Sequence, residues 1–283
     1  MTTPPDTQRP KRSLFDRIVN ALALLIIMGG IINEFSHLYR VPETVAAAPQ
    51  LYERHYAPGM TLPFIGSYFL MTPEGYDPKR TYPLVVALHG ISSRVYAAEA
   101  LASPAFRKTY PVFVMVPLAP ARAFWATPEN PSYRMQRNIP YPDHLPQVIA
   151  EIDAVVQSYS IDRNRIYIVG HSMGGSGAIA ALERYPDRFA AGIASSGSWD
   201  PAETTHLNDP LWIVHGTADA FIPFRHGKDL AATLKARGLA VQFNSIEGQG
   251  HAIGPLVYSK AVLWDWLFRQ RNNGTPSDGV SNH

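Results

Sequence analysis

A short glycine-rich segment carries the residue best suited to nucleophilic chemistry. Ser172 lies in the run Gly170-His171-Ser172-Met173-Gly174-Gly175, which matches the pattern G-x-S-x-G. Apolar runs precede and follow this pattern, so the sequence predicts a strand, a sharp turn and a helix. Such a turn holds a serine hydroxyl away from the backbone, and the flanking glycines let neighbouring elements approach closely. The pattern indicates a nucleophilic serine; an ordinary glycine-rich turn is the alternative.

Two later residues could activate this serine. A serine hydroxyl is a weak nucleophile at neutral pH, so it needs a base that takes its proton and an acid that orients that base. After a nucleophile on such a turn, an acid and then a histidine follow in the chain. Asp219 comes just after a later apolar run, and His251 lies in a glycine-rich loop after the next one. Asp200 and Asp209 are rivals, but both precede the strand that Asp219 follows. We therefore predict Ser172 as nucleophile, Asp219 as acid and His251 as base.

Acyl transfer also needs hydrogen-bond donors for the negative oxygen of the tetrahedral intermediate. The backbone N–H of Met173 is one candidate, because it follows the serine at the start of a predicted helix, where the helix dipole favours negative charge. The second donor is expected in the loop after the strand that ends at Leu88, which indicates the N–H of Ile91. His89-Gly90 would shape this loop. The alternative is that the loop is a plain turn without a donor role.

Three further histidines stand beside glycines at predicted strand ends: His89, His171 and His215. None of them forms an H-x-x-x-H or H-E-x-x-H pair, so we expect no metal site. The nucleotide-binding patterns G-x-x-x-x-G-K-S/T and G-x-G-x-x-G are absent from the sequence, so we expect no nucleotide cofactor. We expect His171 to pack beside the serine rather than to titrate in catalysis.

Two tryptophans lie in predicted loops on the same side of the molecule as the serine. Trp125 and Trp199 could line an acyl or alcohol pocket. The alternative is that each indole closes its loop onto the body of the domain as a partly buried aromatic side chain.

The elements that must position these residues alternate between strand and helix patterns. The predicted strands are residues 67–71, 82–88, 112–116, 165–169, 189–194, 211–214 and 241–246. Predicted helices cover residues 143–159, the segment after the serine, 227–237 and 255–269, and residues 117–142 form a long loop. This alternation predicts the α/β class, with a mostly parallel central sheet and helices on both faces. Ligands bind beyond the carboxyl ends of the strands in such sheets.

Composition limits the classes of partner. The chain has 283 residues, a formal net charge of +2 and 17% charged residues, so a nucleic-acid partner is not expected. It contains no cysteine, which excludes a disulfide, a thiolate zinc site and a cysteine nucleophile.

The N-terminal part resembles the start of an export signal. Arg9, Lys11, Arg12 and Arg17 precede residues 18–32, in which Asn20 alone is strongly polar. These fifteen residues would rise only about 22 Å as a helix. A membrane span needs roughly 20 residues, so the run is short for one. We expect an uncleaved signal anchor with the catalytic domain outside the cytoplasm, periplasmic or extracellular. A cleaved secretion signal and a helix packed on the domain are the alternatives.

The chain therefore divides into five predicted segments. A basic tail covers residues 1–17, the apolar segment 18–32, a linker 33–60, one catalytic domain 61–270 and a disordered tail 271–283.

Five stretches are typical of one known superfamily. They are residues 72–78, 82–90, 161–167, the serine turn together with 185–191, and 215–219. In their order the chain resembles the α/β-hydrolases, specifically secreted esterases similar to the polyhydroxybutyrate-depolymerase and feruloyl-esterase types, and predicted peptidases related to the prolyl-oligopeptidase group. The resemblance implies the α/β-hydrolase fold over roughly residues 61–270. It implies nucleophile, acid and base positions for Ser172, Asp219 and His251, and oxyanion positions for Ile91 and Met173.

Together these features predict a serine esterase that needs no cofactor. A carboxylic ester, small or carried on a polymer, is the expected substrate, because expelling an amine demands more protonation of the leaving group. A serine peptidase and a thioesterase of the same fold remain open. So does a membrane-tethered binding protein that kept the fold without activity.

Overall fold

A computed structural model describes residues 42–56, 67–91, 94–119, 123–135 and 143–272. Within these ranges the centre of the protein is an eight-stranded sheet of order β1-β2-β4-β3-β5-β6-β7-β8. Strands β1 and β2 are antiparallel to their neighbours, and the others pair in parallel. The strands are β1 Glu53–Tyr56, β2 Ser67–Met71, β3 Tyr82–Leu88, β4 Phe113–Pro117, β5 Ile161–His171, β6 Ala191–Ser195, β7 Leu211–Gly216 and β8 Val241–Ile246. The predicted mostly parallel sheet is confirmed.

The described ranges contain helices before, between and after the strands. They are α1 Glu43–Ala47, α2 Tyr96–Ala102, α3 Pro104–Thr109, α4 Leu145–Ser158, α5 Met173–Arg184, α6 Phe224–Ala236, α7 Gly254–Tyr258 and α8 Ala261–Arg269. Short 3-10 helices cover Pro49–Leu51, Pro131–Tyr133 and Pro201–Glu203.

Both faces of the sheet are covered. Successive side chains of a strand point to opposite faces, yet Leu84 and Val85 on β3 are both fully buried. Leu84 belongs to the core cluster that includes side chains of α4, α5 and α6. On the opposite face, the Tyr167 ring packs edge-on against Phe268 of α8, and its hydroxyl donates to the Gln270 carbonyl at 2.8 Å. Burial on two faces explains why the central strands read as continuous apolar runs.

The predicted linker to residue 60 is wrong over residues 42–56. These residues belong to the compact unit that holds the sheet. The Thr44 hydroxyl accepts from the Val95 N–H at 3.0 Å, and the Tyr52 hydroxyl donates to the Ala98 carbonyl at 3.2 Å. Strand β1 then pairs with β2 at the edge of the sheet. The prolines and alanines of this stretch suggested a linker, whereas two buried side-chain hydrogen bonds and one strand pairing fold it onto the domain.

The predicted terminal helix is two helices. Helix α7 ends at Tyr258 and α8 begins at Ala261, because Lys260 has the non-helical angles φ −89° and ψ 116°. The Trp264 indole N–H donates to the Tyr258 carbonyl at 2.9 Å and so satisfies an acceptor at the end of α7.

Several predicted segments lie outside the described residues. These are the basic tail, the apolar segment 18–32, the linker up to residue 41 and most of the tail after residue 272. Among the residues that the structure does describe, no helix has the length and apolar character needed to cross a membrane.

Candidate active site

Ser172 lies on a strained turn between β5 and α5. Its backbone has φ 59° and ψ −120°, a conformation that side chains other than glycine rarely adopt. The close approach of the neighbouring elements requires glycine at two positions. A Cβ on Gly170 would lie 2.2 Å from the Gly174 carbonyl oxygen, and a Cβ on Gly174 would lie 2.2 Å from that of Leu88. The glycines of the motif therefore allow the helix start, the turn and the end of β3 to pack together.

The structure brings Ser172, His251 and Asp219 into one hydrogen-bonded chain. The Ser172 Oγ lies 2.8 Å from His251 Nε2, and His251 Nδ1 lies 2.8 Å from Asp219 Oδ2. Because a carboxylate only accepts, Nδ1 carries the imidazole proton and Nε2 is free to accept the serine proton. The arrangement can move a proton off Ser172, which is the requirement for nucleophilic attack.

Asp219 is held as a carboxylate by its neighbours. Burial acts to raise its pKa, but hydrogen bonds from His215 and His251 and from the N–H groups of Ile222 and Phe221 outweigh burial and hold the pKa well below its usual range. Both N–H groups donate to Oδ1 at 2.9 Å. Asp219 Oδ1 and Oδ2 therefore have separate tasks, one fixing the loop and the other orienting His251.

His215 also contacts the Asp219 carboxylate. Its side chain is fully buried, and Nε2 lies 3.3 Å from Asp219 Oδ2 and 3.0 Å from the Ile222 carbonyl. Because both neighbours are acceptors, Nε2 carries the proton and points it between them. This strand-end histidine therefore fixes the position of Asp219.

The rival aspartates lie elsewhere. Asp200 accepts from the Ala202 N–H at 2.9 Å, which caps a 3-10 helix, and from the Asn130 side chain. Asp209 is buried, and that burial raises its pKa to about 7. Asp219 is the aspartate that the structure places against His251.

Met173 directly follows Ser172, and Ile91 lies in the loop after β3. Met173 is the first residue of α5, where backbone N–H groups have no acceptor within the helix. Ile91 follows β3, whose Leu88 pairs with Gly170 of β5, so the loop after β3 starts level with the serine turn.

Three hydrogen bonds hold that loop. The His89 Nε2 accepts from the Ala119 N–H at 3.1 Å, so Nδ1 carries the proton and donates to the Gly90 carbonyl at 2.7 Å. Burial lowers the pKa of His89, which keeps this neutral tautomer. The Trp125 indole N–H donates to the His89 carbonyl at 2.9 Å. Hydrogen bonds from Ala119 and Trp125 thus hold the loop that carries Ile91.

Trp125 and Trp199 each close a loop. The sequence left this interpretation open beside a pocket lining. Trp125 is 1% exposed. It packs so closely on α5 that a Cβ added to Gly177 would lie 2.6 Å from the Trp125 Cβ. Trp199 is 2% exposed and donates to the Glu203 carbonyl at 3.3 Å. Both rings are therefore buried in this structure.

His171 packs against His251. Its ring centre lies 5.1 Å from that of His251 and 5.2 Å from that of Tyr96, and its Nδ1 lies 3.0 Å from Ser195 Oγ. Burial, together with the nearby His251, lowers the pKa of His171 to about 3, so its ring is neutral at physiological pH. The described residues contain no cluster of three or more histidine, aspartate or glutamate side chains that could hold a metal ion.

Two features near the site had no clear signal in the sequence. The ring of Phe221, two residues after Asp219, lies 5.3 Å from that of His251 and is 82% exposed. A small pocket also opens beside α5, one helical turn from Ser172. It is lined by Phe124, Ala126, Thr127, Pro128, Tyr133, Arg134, Met135, Ser176 and Ser198. The position of Phe221 just after the predicted acid could have singled it out, whereas the pocket depends on folding of the long loop.

Known proteins resemble this chain in sequence and in fold. A family model described as Esterase matches residues 67–265. The Probable carboxylesterase SOBER1-like of Arabidopsis thaliana is 28% identical over 127 residues, which are 41% of this chain and 47% of that protein. The chain thus spans about half the length of this relative. A probable carboxylesterase of Oryza sativa subsp. japonica is 27% identical over 205 residues, 64% of this chain and 76% of its own length. The crystal structure of a thermostable esterase superposes with a TM-score of 0.67 at 29% identity and covers 78% of this chain and 63% of its own.

Proposed function

The chain belongs to the Esterase family of the α/β-hydrolases, and from this premise we propose that it hydrolyses carboxylic esters through an acyl-enzyme on Ser172. One observation carries the proposal: the unbroken chain of 2.8 Å hydrogen bonds from Ser172 through His251 to Asp219. This chain of contacts stands at a strained turn beyond the carboxyl ends of the strands, where ligands bind in such folds.

Acylation begins when His251 Nε2 takes the proton of the Ser172 hydroxyl. The Oγ then attacks the ester carbonyl carbon and forms a tetrahedral intermediate. The N–H groups of Met173 and Ile91 donate to its negative oxygen. When the intermediate collapses, the carbon–oxygen bond to the alcohol breaks and Nε2–H protonates the departing oxygen. The products of this half-reaction are free alcohol and an acyl group on Ser172.

Deacylation repeats these steps with water. His251 takes a proton from a water molecule, whose oxygen attacks the acyl carbonyl carbon. The second tetrahedral intermediate collapses as His251 returns the proton to Ser172 Oγ, and the carboxylic acid leaves. Throughout, Asp219 accepts from Nδ1 and holds the imidazole in the one tautomer that can serve both half-reactions.

Relatives support the ester over other substrate classes. The two named relatives are described as probable carboxylesterases, and the thermostable esterase shares the fold at 29% identity. The hypothesis of a binding protein without activity finds no support in these relatives. Export remains a prediction from residues 9–32 alone, and so does a catalytic domain outside the cytoplasm.

The direct test removes the nucleophile. We expect the full chain to hydrolyse p-nitrophenyl acetate and butyrate, and we expect Ser172→Ala to lose at least about 10³-fold in kcat while keeping its melting temperature. Ser259→Ala is the matched control, because Ser259 is exposed in the turn between α7 and α8. Equal turnover by the Ser172→Ala variant and the unmodified chain would refute the assignment.

A further inference from the structure

An aromatic side chain stands exposed beside the candidate base. The large apolar residues exposed in the described ranges are Ile91, Phe221, Leu256 and Val262, and Phe221 is the most exposed at 82%. Its ring lies 5.3 Å from the His251 ring with an interplanar angle of 51°. A large exposed aromatic ring next to a reactive group is a candidate contact for a ligand.

The backbone of Phe221 is fixed by the site itself. Its N–H donates to Asp219 Oδ1 at 2.9 Å, and the following residue, Ile222, is buried and donates to the same oxygen. Pro223 then restricts the backbone before α6 begins. The carboxylate that orients His251 therefore also sets where the Phe221 ring stands.

The direction of proton transfer shows which part of an ester reaches this ring. His251 Nε2 must deliver its proton to the departing alcohol oxygen, so the alcohol part of the ester lies on the His251 side. The sheet order places β3 with Ile91 on one side of β5, and β7 and β8 on the other. Phe221 follows β7 and His251 follows β8. The carbonyl oxygen of the ester therefore faces Ile91, and the alcohol part faces Phe221.

We propose that Phe221 forms the wall of the alcohol subsite and favours esters whose alcohol part is apolar or aromatic. This inference rests on the proposed esterase function and goes further by naming the substrate class. A flat apolar group on the alcohol can pack against the ring, which removes apolar surface of both from water. A methyl ester is too short to make this contact, so the benefit grows with the size of the alcohol.

A series of acetate esters isolates this effect. Methyl, ethyl, cyclohexylmethyl and benzyl acetate share one acyl group and hence one acetyl-enzyme, so differences in kcat/KM between them report acylation alone. Released acetate is measured for the unmodified chain and for Phe221→Ala and Phe221→Leu. The matched control is Val262→Ala, because Val262 is a comparably exposed apolar residue at 61% on α8.

We expect Phe221→Ala to lower kcat/KM for benzyl acetate about tenfold, with a loss of about twofold or less for methyl acetate. For cyclohexylmethyl and benzyl acetate, kcat/KM should fall less in Phe221→Leu than in Phe221→Ala. Val262→Ala should leave kcat/KM unchanged for both benzyl and methyl acetate. An equal loss for all four esters would overturn the proposal, because the ring would then act only on the position of His251. Unchanged kinetics for benzyl acetate would also overturn it. Turnover that survives Ser172→Ala would instead refute the esterase mechanism itself.

Discussion

At the scale of single residues, Asp219 illustrates how one carboxylate organises the site. Oδ1 fixes the loop that carries Phe221 and Ile222, and Oδ2 orients His251. Its pKa lies well below the usual range, since the hydrogen bonds from His215 and His251 and from two backbone N–H groups outweigh the opposing effect of burial. We therefore expect Asp219 to remain ionised at every pH at which the enzyme is active.

The amide variant tests this role. Asp219→Asn places a neutral side chain against His251, which removes the preference for the tautomer with the proton on Nδ1. We expect kcat for p-nitrophenyl acetate to fall about 10³- to 10⁴-fold, as in other serine hydrolases that lose this carboxylate. Asp229→Asn is the control, because Asp229 is exposed on α6. Activity of Asp219→Asn within tenfold of the unmodified chain would contradict the role.

Residue types and chain order predicted most of the candidate site, and the structure explains what they missed. Ser172, Asp219 and His251 were predicted from the turn motif and from the order in which an acid and a histidine must follow it. The exposure of Phe221 and the support from His215 could not be predicted, because both depend on how the loop after β7 folds over Asp219. The two tryptophans were left open, since a loop sequence does not show which side of an indole is buried.

Among the elements, helix α4 carries an unusual buried carboxyl group, that of Glu151. Glu151 is 1% exposed, and its Oε2 has no hydrogen-bond partner among the described residues, while Gln147 donates to Oε1 at 3.5 Å. Burial raises the pKa of Glu151 to about 8, partly opposed by the hydrogen bond from Gln147. The folded protein therefore keeps a proton on Glu151 over a range of pH in which the unfolded chain has lost it.

The linkage gives a direction for stability. From about pH 4.5 to about pH 8 the folded state binds one more proton at Glu151 than the unfolded state, so the free energy of unfolding falls as pH rises. Glu151→Gln removes this titration. We expect the variant to be more stable than the unmodified chain at pH 8 to 9, by on the order of a few kcal/mol, and similar to it near pH 4.5.

Chemical denaturation at several pH values measures this difference. Glu247→Gln is the control, since Glu247 is exposed in the turn after β8 and should leave the pH dependence unchanged. A pH dependence of the Glu151→Gln variant parallel to that of the unmodified chain would show that Glu151 is not the titrating group.

Element types were easier to predict than their ends. The strand at residues 241–246 agrees with β8, because apolar periodicity and flanking turns define it. The break between α7 and α8 has no proline or glycine to mark it; it lies at the non-helical backbone of Lys260, where the Trp264 indole N–H donates to the Tyr258 carbonyl. The sequence predicted a linker at residues 42–56 because the contacts that fold them onto the domain could not be seen in it. These contacts are with Val95 and Ala98, which are far away in the sequence.

At the scale of the whole molecule, alternating strands and helices predicted the fold, and the match to the Esterase family over residues 67–265 confirms the resemblance to the α/β-hydrolases. The order of strands in the sheet could not be derived from alternation alone. That order places Ile91 and Phe221 on opposite sides of Ser172, and the inferred alcohol subsite depends on this placement.

We expect Ser172 to be the single activated nucleophile of the domain. A fluorophosphonate reacts covalently with such a serine, and intact mass followed by peptide mapping locates the adduct. We expect one adduct per chain on the peptide that contains Ser172, and no adduct on Ser172→Ala. An adduct on another residue, or an unlabelled Ser172 in a protein that hydrolyses esters, would contradict the account.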